Sequence, residues 1–348
     1  MDNLRNKVTI VIPTHNRPKH LKRAIEYWKE SGFKIIIADS SLEKFESCLP
    51  LNISYYYLPK LSFISKQAMV LRNVETKYTL LCAVDDFVTE VGVRESCEFL
   101  EHNLDYAVAQ GRFISFCPKP ELQPNEYEWR SIYKPLTFDQ ALPSDRIFNY
   151  MSNYRMVVWW GVYRTVVLQK VWETTAVNTD DVRFGEILSA MLSAISGKIK
   201  TLDILYSARE REFNSKSEGG HLNKTIPDFI RDGSYGDKYD KFKHCLLNAI
   251  VSEENITKSN ANKLIDKAMN NHLSLGFPKN KFKREFVKLS EYSKILRKCI
   301  LAYQKLRAKT NHQSELENLN YFEYDNPKNH SYKDFIKIKE AISKNSIY

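Results

Sequence analysis

Two adjacent acidic residues, Asp85 and Asp86, are the part of this sequence that most directly suggests chemistry. They follow the apolar segment YTLLCAV, which has the composition of a buried β-strand. Two carboxylates at the end of such a strand repel each other and lose hydration unless a cation lies between them. Carboxylate oxygens suit Mg2+ or Mn2+, which usually complete their coordination with phosphate oxygens. The pair therefore predicts a metal-assisted phosphate site, with capping of the helix near residue 90 as the alternative.

Polar side chains also follow two earlier strand-like segments, VTIVI and FKIIIA. In an open α/β sheet, ligands bind beyond the carboxyl ends of such strands. The sequence contains neither G-x-G-x-x-G in its first turn nor a P-loop pattern, so we expect side chains rather than a glycine-rich backbone to hold the ligand. The candidates are Pro13, Thr14, Asn16 and Arg17 after the first strand, and Asp39, Ser40 and Ser41 after the second.

Strand-like and helix-like segments alternate over the first 110 residues. Residues 18–32 begin with proline, carry apolar residues at helical spacing and end at Gly32, as a helix between two strands would. The alternation predicts a Rossmann-like α/β fold, with a mostly parallel central sheet and flanking helices. Residues 111–150 lose the periodicity and predict a long functional loop. The pattern then returns as a strand and helix start in 154–173, a helix in 180–198 and a strand in 198–212.

The composition changes near residue 234, where glycine becomes rare and helical patterns of charge and leucine begin. We therefore predict one domain at 1–233 and a basic helical domain at 234–348. The second domain contains 22 Lys and Arg against 13 Asp and Glu, which is +9 of the chain's net +10. Within it, residues 278–309 form a basic amphipathic pattern. Such a helix could lie on an anionic membrane surface, bind an acidic polymer, or pack on its own domain.

Other features limit the classes of function. The six cysteines lack metal-binding spacing and are expected to be free thiols in a reducing compartment. The first residues lack the apolar core of a signal peptide, and no apolar run approaches the roughly 18 residues that span a bilayer, so we expect a cytoplasmic protein. No nucleic-acid-binding motif accompanies the positive charge, and nucleic acid is not a predicted partner.

Three segments in order, VTIVIPTHNRPKHLKRAIEYW, IIIADSS and TKYTLLCAVDDFV, resemble the GT-A fold glycosyltransferases of family 2, particularly the bacterial branch that builds surface polysaccharides. The likeness covers about residues 7–210. It implies a nucleotide-binding half at about 7–110 and an acceptor-binding half at about 111–233. It also implies a nucleotide-sugar donor, with a UDP-sugar favoured, and a Mg2+ or Mn2+ ion.

The resemblance also assigns roles to single residues. The loop formed by Pro13, Thr14, Asn16 and Arg17 would surround the nucleoside, and Asp39, followed by Ser40, would bind its base. Lys66 would contact the diphosphate, and Asp85 and Asp86 would take the place of the metal-binding acidic motif. Ala83 and Val84 precede this pair where related sequences often carry a further acid, so one acidic contact of the family is missing.

Transfer with inversion also needs a base that takes the proton of the acceptor hydroxyl. The segment NTDDVRFGEIL offers Asp181 at a helix start and Glu186 shortly after it. In the resembling family the base lies on an acidic motif that opens this helix, which favours Asp181. The alternatives are an N-cap role for Asp181 and a solvated position for Glu186.

Three further residues have two readings each. His221 follows a pair of glycines and is either a further metal ligand or a surface residue. Trp159 and Trp160 either stack on an acceptor sugar or belong to the core.

The sequence and the resemblance thus predict a metal-assisted, inverting glycosyltransferase of the hexosyltransferase type. Its acceptor would be a glycan or a lipid-linked saccharide in the synthesis of capsule, O-antigen or lipopolysaccharide, with possible peripheral contact at the inner membrane face. Two alternatives remain open: a sugar-phosphate or nucleotidyl transferase on a similar sheet, and a binding or scaffold protein that has lost turnover.

Overall fold

The computed structural model describes residues 2–118, 127–154, 157–211, 236–274 and 323–344. Nine strands in these ranges form one sheet in the order β3-β2-β1-β4-β8-β6-β9-β5, with β7 paired to β6 outside this row. The strands are β1 (Val8–Thr14), β2 (Lys34–Asp39), β3 (Ile53–Tyr57), β4 (Tyr78–Leu81), β5 (Phe87–Val88), β6 (Tyr106–Pro118), β7 (Tyr127–Tyr133), β8 (Val162–Arg164) and β9 (Lys198–Glu210).

Helices cover both faces of the sheet. Those that precede residue 212 are α1 (Asp2–Arg5), α2 (Pro18–Trp28), α3 (Phe63–Leu71), α4 (Glu90–His102), α5 (Pro143–Ser152), α6 (Thr165–Asn178) and α7 (Val182–Ser196). The described residues after 235 form α8 (Gly236–Glu254), α9 (Lys258–Ser274) and α10 (Tyr332–Lys344).

The first four strands in the row, β3, β2, β1 and β4, run parallel. Every residue of β1 is buried, and its side chains alternate between two hydrophobic clusters. Ile10 and Ile12 face the cluster that includes α2 and α4, whereas Val11 faces the cluster that includes α3, α6 and α7. This is the pattern of a central strand buried on both faces. The predicted α/β fold class is confirmed.

The predicted long loop at 111–150 was wrong. Residues in this range complete β6, form β7 and begin α5, whose first residue is Pro143. β6 and β7 form an antiparallel pair, and β6 also runs parallel to β9. The aromatic residues of this region therefore pack along strands that pair with distant parts of the chain, which local periodicity could not indicate.

Strand β4 is shorter than its apolar sequence suggests. It ends at Leu81, and residues 82–86 turn before β5, which pairs antiparallel with β9 at Phe87–Ala208 and Val88–Ser207. Asp85 and Asp86 therefore lie in a turn held against the end of β9. Likewise, the predicted strand through the two tryptophans is a 3-10 helix over Val158–Trp160, followed by the short β8.

The helices after residue 234 pack on the earlier ones. Phe242 of α8 lies against Phe184 of α7 with ring centroids 5.9 Å apart. On the other side of the sheet, α10 packs on α2, and Oδ2 of Asp334 accepts a 2.8 Å hydrogen bond from the backbone N–H of Val91 in the first turn of α4.

Within the described ranges, no helix is both long and apolar enough to cross a bilayer. The basic amphipathic segment at 278–309 lies outside the described residues.

Candidate active site

The parallel strands bring three polar segments to one edge of the sheet. β1 lies between β2 and β4, with Thr14 opposite Asp39 and Val11 opposite Leu81. Because the carboxyl ends of parallel strands share an edge, the residues that follow them meet there. The backbone N–H of Ser40 donates to the carbonyl of Thr14 at 3.2 Å, so the first two segments are in direct contact.

Asp39 is the centre of a small polar cluster at this edge. Its side chain is buried, and Oδ1 accepts hydrogen bonds from both the backbone N–H and the hydroxyl of Ser41. Oδ2 accepts a 2.7 Å hydrogen bond from the hydroxyl of Tyr55. Partial burial and this hydrogen bond raise the pKa of Tyr55 well above its usual value. The sequence did not point to Tyr55, although its place in the alternating segment ISYYY puts it on β3 beside β2.

We expect Tyr55→Phe to destabilise the protein by about 1–3 kcal/mol, because it leaves a buried carboxylate oxygen without its donor. Tyr57→Phe is the matched control, since the Tyr57 hydroxyl donates to the carbonyl of Leu42 at an exposed position, and its expected cost is below about 0.5 kcal/mol. Urea denaturation of the three proteins measures both values. Equal stability of the two variants would contradict a structural role for the Asp39–Tyr55 bond.

The loop after β1 is tied to the end of β2. Asn16 has a φ of 52°, a left-handed conformation that asparagine tolerates better than most residues. Its backbone N–H donates to Ser41 Oγ at 2.7 Å, and its Oδ1 accepts from the backbone N–H of Leu42 at 3.0 Å. His15 Nδ1 lies 3.0 Å from the carbonyl oxygen of Ser40. These bonds fix the path of the predicted nucleoside loop.

The side chain of Lys66 contacts the ends of β1 and β2, next to the same loop. Its side chain is buried, and Nζ donates at 2.8 Å both to the carbonyl of Thr14 and to Oγ of Ser40. A buried ammonium needs such acceptors, and here they join the ends of β1 and β2. Pro13 precedes Thr14 inside β1 and is buried as well. The structure thus places Lys66 among the predicted donor-site residues, and its contact with a diphosphate stays a prediction.

Each aspartate of the pair has its own arginine. Asp85 Oδ2 accepts a 2.5 Å hydrogen bond from Arg17, and both side chains are about one-fifth exposed, at 23% and 21%. Asp86 is buried, with Oδ2 accepting from Nε of Arg209 at 3.1 Å and Oδ1 from the backbone N–H of Glu210 at 3.1 Å. Burial raises the pKa of Asp86 to about 7, and the nearby Asp85 acts in the same direction, whereas Arg209 opposes the shift. The two carboxylates therefore point to different partners.

A divalent ion fits this arrangement through Asp85. Mg2+ is commonly bound by one or two carboxylates and completes its coordination with phosphate oxygens and water. The partly exposed carboxylate of Asp85 can serve in this way, while both oxygens of Asp86 already accept hydrogen bonds from β9. No group of three or more His, Cys, Asp or Glu side chains in the described ranges could hold a metal by itself. His221 lies outside those ranges.

The two candidate bases have different surroundings. Asp181 is the N-cap of α7, where Oδ1 accepts from the backbone N–H groups of Arg183 at 2.9 Å and Phe184 at 3.3 Å. Glu186, one turn further, accepts a 2.5 Å hydrogen bond from the hydroxyl of Tyr154. Burial raises the pKa of Glu186, although this hydrogen bond and the charge of Arg209 oppose the shift. Glu186 is therefore a partly buried acid rather than a solvated one.

Arg209 lies between the Asp85–Asp86 turn and the residues around Glu186. Its guanidinium lies 5.6 Å from the ring centre of Trp160, bonds Asp86, and lies within electrostatic reach of Glu186. Trp160 is half-buried, whereas Trp159 is buried in the core and donates from Nε1 to Ser189 Oγ at 2.5 Å. Arg209 could not be predicted from sequence, because nothing in the segment SARERE indicates which of its charges turns toward the aspartates.

One of the C-terminal helices, α9, contacts the residues next to Glu186. The ring of Tyr154 packs edge-on against His272 of α9, with centroids 4.9 Å apart. Nearby, Nδ2 of Asn271 donates to Ser152 Oγ at 2.8 Å. The helical region thus contacts the tyrosine that bonds Glu186.

Comparisons with known proteins support the fold from outside. No family model matches the sequence, and no curated protein matches it. Among solved structures, the crystal structure of residues 1–349 of S. aureus TarS matches with a TM-score of 0.51 and 12% identity, covering 97% of this chain and 89% of that one. The same fragment in complex with UDP-GlcNAc matches with a TM-score of 0.52 and 13% identity over the same shares. At this identity the likeness concerns the fold alone, and it agrees with the predicted GT-A-like α/β fold.

Proposed function

We propose that this protein is a glycosyltransferase that moves a sugar from a nucleotide-sugar donor to a hydroxyl of a glycan or a lipid-linked saccharide. The observation that carries the proposal is the meeting of two acid–arginine pairs, Asp85 with Arg17 and Asp86 with Arg209, at the loop edge of a GT-A-like sheet. Guanidinium groups beside a carboxylate suit the diphosphate and metal of an activated sugar. The complex of TarS with UDP-GlcNAc supports a UDP-sugar as donor.

On the donor side, Arg17 contacts the diphosphate and Asp39 the base. A carboxylate has about four lone-pair sites, of which Ser41 and Tyr55 use three at Asp39, so one site is left for an N–H of the base. The other donor-side residues of the proposal are Pro13, Thr14, Asn16 and Ser40, which lie at the same strand ends, and Lys66, whose side chain reaches them from α3.

The proposed metal is Mg2+ or Mn2+ held by Asp85. When bound, the ion offsets the negative charge that grows on the leaving diphosphate. Asp86 acts on the same region by holding the guanidinium of Arg209. His221 remains a proposed further ligand.

The geometry favours Glu186 over Asp181 as the base. One oxygen of Asp181 is engaged by two backbone N–H groups at the start of α7, so this side chain already has a structural role as the N-cap of the helix. Glu186 combines burial with a raised pKa, and both properties suit an acid that must take a proton near neutral pH. Tyr154 orients its carboxylate.

The pH dependence of transfer tests the role of Glu186. A general base must be deprotonated, so kcat/KM is expected to fall as the pH drops through the pKa of Glu186. Because burial raises that pKa, we expect this acidic limb above the ordinary glutamate value of 4.5. A profile of initial rates between about pH 4 and 9 measures the limb. Rates that stay constant down to the ordinary value would contradict Glu186 as the base.

The reaction class is tested with a panel of UDP-, GDP-, CMP- and dTDP-sugars. Release of a nucleoside diphosphate from one of the diphosphate donors, with the sugar found on an acceptor, is the expected result. Release of a nucleoside monophosphate from a diphosphate donor, with the sugar phosphate found on the acceptor, would favour a sugar-phosphate transferase instead. Release of a sugar phosphate, with the nucleotide found on the acceptor, would favour a nucleotidyl transferase. Absence of nucleotide binding by calorimetry, with and without Mn2+, would favour the scaffold alternative.

Three remaining parts of the proposal come from the family resemblance: inversion at the transferred sugar, a hexosyl donor, and an acceptor in capsule, O-antigen or lipopolysaccharide synthesis. A cytoplasmic location and peripheral membrane contact through 278–309 come from the sequence pattern. A flotation assay with vesicles containing anionic lipid tests that contact, and equal flotation with neutral vesicles would contradict its electrostatic basis.

A further inference from the structure

A buried ion pair lies directly behind the aspartate turn. Arg23 of α2 has a side chain that is only 1% exposed, and its NH2 group donates to Oε2 of Glu210 at 2.5 Å. The same NH2 group donates to the backbone carbonyl of Asp85 at 2.9 Å. One guanidinium nitrogen therefore joins the last residue of β9 to the backbone of the turn.

Glu210 holds the turn through a second contact. Its carboxylate is fully buried, with Oε2 bound by Arg23 and Oε1 3.8 Å from Nε2 of His20. Its own backbone N–H donates to Oδ1 of Asp86 at 3.1 Å. Hydrogen bonds thus hold the turn at the carbonyl of Asp85 and at the carboxylate of Asp86.

Stability alone is a weak reason for such a pair. Bringing two charges out of water costs several kcal/mol, and a well-packed apolar pair of similar volume is often equally stable or more so. The charged pair also fixes the position of the Asp85 carbonyl, because Arg23 bonds Glu210 and the backbone of Asp85 at the same time. Apolar side chains could fill the space but could not fix that carbonyl.

We propose that Arg23 and Glu210 are positioning residues that hold the Asp85–Asp86 turn in the geometry needed for donor binding and transfer. The inference rests on the proposed function for its catalytic consequence and on the contacts above for its structural part. Both side chains are buried. Arg23 acts on the backbone of Asp85, the Glu210 carboxylate acts by holding Arg23, and the backbone N–H of Glu210 bonds the carboxylate of Asp86.

The test compares the wild type with Arg23→Met, Glu210→Met and the double variant. Each single variant leaves one buried charge without its partner and is expected to lower the Tm. The double variant removes both charges, so its Tm is expected to return close to that of the wild type. If the pair positions the turn, amide hydrogen exchange of residues 82–88 stays about tenfold faster than in the wild type, and kcat stays about 100-fold lower.

Two further variants complete the test, one as a control and one as a substitute for the double variant. Arg72→Met with Glu173→Met removes an exposed ion pair of 3.0 Å far from the turn, and is expected to change neither exchange in 82–88 nor kcat. Arg23→Lys keeps the buried charge, so it serves if the double variant does not fold. Lysine lacks the planar fork of arginine, and we expect faster exchange in 82–88 at a nearly unchanged Tm.

The outcomes separate this inference from the proposed function. Exchange and kcat at wild-type levels in the folded double variant, or exchange at the wild-type level in Arg23→Lys, would overturn the positioning role. A wild type that transfers sugar from no donor would overturn the proposed function, yet exchange in residues 82–88 would still decide whether Arg23 and Glu210 hold the turn.

Discussion

Replacing Glu186 with glutamine is expected to lower kcat for sugar transfer by about 10²–10⁴-fold, with nucleotide affinity changed by less than about twofold. Glutamine keeps the size of the side chain and can still accept the hydrogen bond from Tyr154. It cannot take a proton from the acceptor hydroxyl. The effect should therefore fall on the chemical step, which single-turnover kinetics with saturating donor measures.

Asp181→Asn is the matched comparison, because both substitutions replace a carboxylate by an amide of the same shape. Asparagine is as good an N-cap as aspartate, so α7 should keep its capped start and the protein its stability. If Glu186 is the base, kcat of Asp181→Asn stays within about threefold of the wild type. The opposite pattern, with Asp181→Asn inactive and Glu186→Gln active, would assign the base to Asp181, as the sequence favoured.

Asp85→Asn carries the second large expected effect, a loss of about 10²–10³-fold in kcat/KM. The substitution removes the negative charge that faces Arg17 and the proposed carboxylate ligand of the metal. We therefore expect Mn2+ to strengthen nucleotide binding by the wild type and to have little influence on binding by the variant. Calorimetric titration with and without the ion measures this difference directly.

Asp180→Asn is the control for the loss of one negative charge. Asp180 is 78% exposed and is bonded only at the surface to Lys238 in the described part of the chain. Its replacement is expected to leave kcat/KM and the Mn2+ effect unchanged. Equal losses in the two variants, or an Mn2+ effect that persists in Asp85→Asn, would contradict metal binding by Asp85.

The donor edge could be predicted from sequence because it depends on local rules. Apolar strands in β–α alternation form a parallel sheet, and residues after such strands meet at one edge, so the pattern of the sequence predicts Thr14, Asp39 and Asp85 at the same edge. The candidate acids at 181 and 186 were found in the same way, from charges at the start of a helix.

The part of the site that could not be predicted depends on long-range pairing between strands. Arg209 and Glu210 reach the aspartates because β5, only two residues long, pairs antiparallel with the end of β9. No local pattern sets that register, and 120 or more residues separate the partners. Tyr154 was missed for a related reason: it opens the segment 154–173, which predicted a strand, and the packing of Tyr154 against His272 of α9 is a long-range contact.

The Asp85–Asp86 turn was read too simply as well. Two neighbouring carboxylates suggested a shared metal, whereas the turn directs them to two different arginines, Arg17 and Arg209. Successive residues in a tight turn need not point the same way. Sequence can thus locate a pair of acids, but the conformation of the turn decides what each one binds.

The central claim is that a nucleotide sugar binds at the edge formed by the ends of β1, β2 and β4. The most direct measurement is a crystal structure with the nucleoside diphosphate selected by the donor panel. We expect the diphosphate to lie beside Arg17 and Asp85, with the base toward Asp39. Nucleotide bound elsewhere, for example in the cavity of about 350 Å3 between α6, α7 and α8 near the far end of α7 from Glu186, would contradict it.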